Sequence, residues 1–239
     1  MRWQLEEKAP EIRVDPHYKI MIGSLYETVK DEYPFHEELP TATMPDEISG
    51  YMVQHRFRKG KDLWPLIQIG PGIVTLNDTE GYVWEDFKVR ISYLIDKLFT
   101  VYPEPSKLRV SRLLLRYIDA ISFDYSTGDI FNFLGEKMKI NLNIHQGLFD
   151  GTGIVKKPLG IDMRLAFPSS TLRGQIHFRV ARGKKEETDA LILDTIFESV
   201  GEDAPKDAGE IVSWAERAHE ITDDWFFKLI EGELLGRFK

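Results

Sequence analysis

The sequence predicts an α+β protein of two packed subdomains, each an antiparallel sheet carrying amphipathic helices, the first of them ferredoxin-like in its split βαβ order. Two observations lead there. Short apolar runs bounded by Gly, Pro, Asn or Asp recur along both halves, whereas strong helical periodicity is confined to a few segments. Between residues 123 and 129 nothing is long or flexible enough to act as a spacer, so subdomains 1–125 and 126–239 are expected to pack together.

In the first subdomain, KIMIG at 19–23 follows the turn-prone DPH and reads as a short strand. SLYETVKDEYP reads as a helix with Ser24 as its N-cap, Glu27 completing a capping box and Pro34 beyond its end. HEELPTATMPDEISG, rich in prolines and acids, reads as an exposed loop. YMVQHRF (51–57), LWPLIQIG (63–70) and GIVTLN (72–77) form three strands, the last two joined by a turn at GPG. In WEDFKVRISYLIDKLFTVY, Trp84, Phe87, Ile91, Leu94, Ile95 and Leu98 recur at helical spacing, and PEPS at 103–106 stops the helix by removing backbone donors. The strand LRVSRLLLRYIDAISF, 108–123, follows.

The second subdomain reads α-β-β-β-α. DIFNFLGEKM (129–138) is a short helix and NIHQGLFDGTGIVKKPLG (143–160) a glycine-rich loop. IDMRLAFP, TLRGQIHFRVA and ALILDTIFE form a meander, with RGKKEET (182–188) as the charged turn. After a polar loop, Ile211, Trp214, Ala215, Ala218, Ile221, Trp225, Phe226 and Leu229 stripe a closing helix.

Composition narrows the chemistry. With 239 residues, 42% of them apolar, the chain can bury a substantial core. No run approaches the roughly 20 apolar residues that span a bilayer, and MRWQLEEKAPEIR lacks the apolar centre of a signal peptide, so a cytoplasmic protein is expected. The absence of cysteine excludes disulfides, thiol nucleophiles and cysteine-ligated metals. A net charge of −8 repels phosphate backbones and disfavours nucleic acid as a partner unless basic residues concentrate locally.

Motifs add further exclusions. The six histidines are dispersed, with no HxH or HExxH pair, so no metal ligand set is expected. A P-loop and a GxSxG elbow are both missing, and GTG at 151–153 is only a fragment of a dinucleotide fingerprint. Adjacent carboxylates such as Asp223 and Asp224 suit a solvated helix face. No catalytic residue is assigned and no cofactor is expected.

One segment stands apart. In RVSRLLLRYID, alternation sends Arg112 and Arg116 to one face of the strand and Arg109 to the other. Four residues apart, Arg112 and Arg116 are separated by ~13 Å along a strand and each needs its own partner. Asp194, alone in the apolar run LILDTIF, is the natural counter-ion for one of them across the two halves, because an unpaired buried carboxylate is as costly as an unpaired guanidinium. The functional alternative is an anion- or partner-binding cleft lined by Arg112, Arg116 and Arg164.

WPLIQIGPGIVTLNDTEGYVWEDFKVRI followed by RVSRLLLRYIDAI resembles the sporadically distributed, uncharacterised prokaryotic family whose members carry a "QIGP…N…Y.W..F" segment and an "RYI(N/D)" strand. The early DEYP and the LILDT strand are similar to its pattern too, although Asp119 stands where that family usually has Asn. The resemblance implies an accessory role in defence, toxin–antitoxin or mobile-element contexts and carries no catalytic residues over. The reading is therefore a non-enzymatic interaction or sensor protein that binds a protein or a small anionic ligand. The competing reading is a ferredoxin-like nucleic-acid-binding or processing enzyme with an active site assembled from distant residues.

Overall fold

The computed structural model describes residues 1–237. Its architecture is α+β, with antiparallel strands and four α-helices among the described residues. No helix there is long and apolar enough to cross a membrane. The chain divides into two compact units, the first made of Met1–Leu114 and Ser199–Glu216, the second of Leu115–Glu198 and the segment from Arg217 onward.

The first unit contains β1 (Arg2–Trp3), the hairpin β2 (Glu6–Ala9) and β3 (Ile12–Val14), α1 (Tyr18–Val29), β4 (Phe35–Glu38), β5 (His55–Arg58), β6 (Leu66–Gly70), β7 (Ile73–Asn77) and α2 (Trp84–Val101). With the start of β8 (Val110–Ser122), its main sheet runs β4-β5-β6-β7-β1-β8, antiparallel throughout. Its core joins Met21, Leu25 and Val29 of α1 and Leu94 and Leu98 of α2 to Phe57, Ile67, Ile69 and Val74 of the strands, around a fully buried Trp3.

KIMIG does not form a strand; it lies in α1. As a strand it would place Ile20 and Ile22 on one face, but the buried residues are Tyr18, Met21, Leu25 and Val29, at intervals of three or four, and Ile20 is 68% exposed. Helical periodicity outweighs the local alternation because only the helix buries all four. Ser24 and Glu27 consequently sit inside α1, whose N-cap is His17 without a side-chain cap. The turn before it is organised by Asp15, whose Oδ1 accepts from the His17 amide at 3.0 Å. The segment expected as a loop from His36 is also corrected, since it opens within β4, which pairs with β5 from Phe35↔Arg58 to Glu38↔His55.

The second unit contains the rest of β8, α3 (Ile130–Met138), β9 (Asp162–Pro168), β10 (Gln175–Lys185), most of β11 (Thr188–Val200) and the latter part of α4 (Ala208–Ile230). Its strands run β8-β11-β10-β9. Asp129 caps α3 through hydrogen bonds from the Phe131 and Asn132 amides. Ile130, Leu134 and Met138 of α3 and Ile230 of α4 cover one sheet face, meeting Ile121, Phe178, Val180, Leu191 and Leu193. The charged turn at 182–188 is tighter than its composition suggests: β10 continues to Lys185, leaving Glu186 and Glu187 as a two-residue hairpin loop with Glu186 at φ +55°.

Candidate functional site

The opposite face of the second unit's sheet carries the charge. Strand alternation assigns the even-numbered residues of β11 and the odd-numbered ones of β10 to this face, since their neighbours Leu191, Leu193, Phe178 and Val180 fill the core. Cross-strand register then sets Arg164 opposite Arg179 and Arg179 opposite Asp194. From β8, Arg116 reaches Asp194 with two bonds, Nε to Oδ1 at 2.7 Å and Nη2 to Oδ2 at 2.8 Å. Asp162 closes the row, taking two bonds from Arg179 at 2.8 Å and a longer one from Arg164 Nε at 3.4 Å.

The result is a ribbon of three guanidinia and two carboxylates lying across four strands. Asp194 is buried, and the hydrogen bond to it is the main cause of the raised Arg116 pKa. Asp162 is pulled down to about 2, chiefly by its bonds from Arg179. Arg116 and Arg164 keep 47% and 71% of their side-chain surface exposed, so the fork to Asp194 is structural on one edge and open to solvent on the other. Further along the same face His177 Nε2 meets the buried Glu198 at 2.7 Å, and Gln175 donates to the same carboxylate oxygen at 3.2 Å.

Asp194 thus pairs with Arg116, and both residues belong to the second unit. Strand spacing puts Arg116 and Arg164 ~14 Å apart on one face, joined by the carboxylates and Arg179 rather than converging on a common point. Arg112 lies in the first unit, where it is the register partner of Arg2. Arg179 and Asp162 escaped the sequence reading. Their signal was the polar alternation of Gln175, His177 and Arg179 against Asp162 and Arg164, which becomes a site only once β9 and β10 are paired in register.

Asp119, on the core-facing side of β8 with Leu115 and Ile121, has its carboxyl pushed up to about 6 by burial. An unfolded aspartate ionises near 3.9, so between about pH 4 and 6 the folded chain holds a proton that the unfolded chain has released. Stability from this group is full below that window and falls as pH rises through it. Asp119→Asn is expected to melt with the parent at pH 4 and a few degrees (~2–6 °C) above it at pH 8. Coincident melting curves at pH 8 would show that the carboxyl is solvated.

Guanidinia present fixed forks of N–H donors that suit carboxylate and phosphate oxygens. Comparison with protein-family models, with curated proteins and with solved structures gives no match.

Proposed function

We propose that the chain is a non-enzymatic interaction protein that receives an acidic segment of a protein partner on the open sheet face of its second unit. The observation that supports this reading is the spread of the arginines. Guanidinia distributed over ~14 Å of a flat face suit several carboxylates on an extended chain better than one small anion, which could bridge only neighbours. Arg164 supplies the most exposed guanidinium, while Arg116 and Arg179, held in two-bond pairs by Asp194 and Asp162, contribute their outer edges. An accessory role in the cytoplasm accords with the family resemblance and with the lack of a catalytic constellation.

The first unit is read as a ferredoxin-like core. The order β8-β1-β7-β6 with α1 and α2 on one face supports that reading, with β5 and β4 as an added hairpin.

A hexaglutamate peptide tests the binding surface. Titrated by calorimetry, it is expected to bind at low ionic strength and to weaken as salt screens the ribbon. The double variant Arg164→Glu and Arg179→Glu, with its fold checked by circular dichroism, is expected to bind at least about tenfold more weakly. Affinity unchanged by this reversal would remove the arginine face from consideration.

A further inference from the structure

The second unit's sheet ends on β9, which pairs with β10 on one side and with no strand on the other among the described residues. The bonds that flank this pair identify the backbone groups left over. The Arg182 amide donates to Ile161 O at 2.8 Å and the Ser169 amide to Gly174 O at 3.0 Å, so the odd-numbered residues of β9 are the ones that exchange bonds with β10. The N–H and C=O groups of Asp162, Arg164 and Ala166 therefore point away from the sheet, and all three residues are exposed. Pro168, which has no N–H, closes this row at one end, and Pro158 precedes it at the other. An unpaired edge of this kind is a template for another strand.

Side chains decide which strand fits. Asp162 and Arg164 carry charge on one face, while Leu165 and Phe167 on the other remain 42% and 39% exposed, and Leu159 just before the strand is 87% exposed. A matching strand must alternate charged with apolar residues, and β9 itself has that pattern. When a second β9 runs antiparallel to the first, charge selects the register. Arg164 opposite Arg164, or Asp162 opposite Asp162, would set like charges together. With Met163 opposite Met163, Arg164 faces Asp162 of the second copy and Asp162 faces its Arg164. The same register sets Leu165 against Ile161 and Phe167 against Leu159, covering the apolar side, and brings Pro168 to Pro158, where pairing stops for want of donors. Arg164 is available for this exchange, since its bond to its own Asp162 is a long 3.4 Å and its side chain is 71% exposed.

We propose that the chain forms a twofold dimer by antiparallel pairing of β9 with β9 of a second copy. The dyad stands perpendicular to the sheet at Met163, so the arginine faces of the two copies lie on the same side. This interface is independent of what the arginine face receives. One strand edge buries less than the ~1,200 Å² typical of stable complexes, so the dimer is a weak one with a micromolar dissociation constant.

Sedimentation equilibrium of the full chain at low ionic strength, from about 1 to 300 μM, brackets such a constant and is expected to show a monomer passing into a dimer. Ala166→Pro deletes an outward N–H while sparing the bonds of Leu165 and Phe167 to β10, and is expected to weaken the dimer by at least about tenfold. Arg164→Asp and Asp162→Arg each set like charges together and are expected to stay monomeric alone. Their equimolar mixture restores opposite charges at both positions and is expected to dimerise as the parent does. Circular dichroism checks that each variant is folded. A parent chain that sediments as a monomer throughout, a dimer indifferent to Ala166→Pro, or two folded charge variants that remain monomeric when mixed would each overturn the proposal.

Discussion

Gly70→Ala is expected to destabilise the protein by roughly 3–5 kcal/mol, enough to lower the melting temperature by about 10 °C in a chain of this size. A Cβ at Gly70 would stand 1.8 Å from the Met52 carbonyl oxygen and 2.7 Å from its carbon, an overlap with backbone that no rotamer change relieves. Nor can the obstructing segment withdraw freely. The Tyr51 amide donates to Pro71 O at 2.8 Å and the Gln54 amide to Ile69 O at 2.9 Å, pinning 51–54 against the β6–β7 hairpin on both sides of the contact. Gly23 is the matched control: it lies inside α1 with nothing within 4 Å of its notional Cβ, so Gly23→Ala is expected to stabilise by about 0.5–1 kcal/mol. Urea midpoints measure both. A Gly70→Ala midpoint equal to the parent's would mean that residues 51–54 yield without loss.

Asp15→Ala is the second large effect, again roughly 3–5 kcal/mol. This carboxylate accepts from the Trp3 indole at 2.9 Å, the His17 amide at 3.0 Å, the Gly72 amide at 3.2 Å and the Tyr102 hydroxyl at 3.3 Å. It therefore ties β1, the entry to α1, the β6–β7 turn and the end of α2 to one point. Trp3 is fully buried, so removing Asp15 deprives its indole N–H of a charged acceptor at a site without bulk water. The Tyr102 phenol, raised first by burial and then by Asp15, would lose its charged partner as well. Asp15→Asn keeps an acceptor oxygen and is expected to lose about half as much, with the denaturant slope unchanged in both variants. Equal midpoints for Asp15→Ala and the parent would show that the remaining packing carries the N-terminal segment.

Several elements could be read directly from neighbouring residues. The helix at 84–101 follows from six apolar positions at helical spacing, and β8 from a long branched and apolar run after a proline stop. The need of Asp194 for a cation also follows locally, from its apolar neighbours in β11. That the cation is Arg116 depends on which strands lie side by side, over a separation of 78 residues. The KIMIG segment shows the limit of the local pattern. Five residues fit a strand, and only the burial of Tyr18 and Val29 at the two ends of α1 reveals the longer period.

Groups whose surroundings come from distant segments belong to the same category. Tyr18 is an ordinary aromatic in the sequence, and only the packing of α1 leaves its hydroxyl buried without a hydrogen-bond partner among the described residues. Arg179 and Asp162 are two unremarkable charges until β9 and β10 bring them within 2.8 Å. Charge and the excluded cysteine and nucleotide-loop chemistries follow from residue content and short motifs, and the periods of most helices and strands are legible along the chain because they depend on residues within a turn or two of one another. Strand register, the pairing of Asp194 with Arg116, and the desolvation of Tyr18 and Asp119 were decided by tertiary structure, because they depend on which distant side chains exclude water from the same few ångströms.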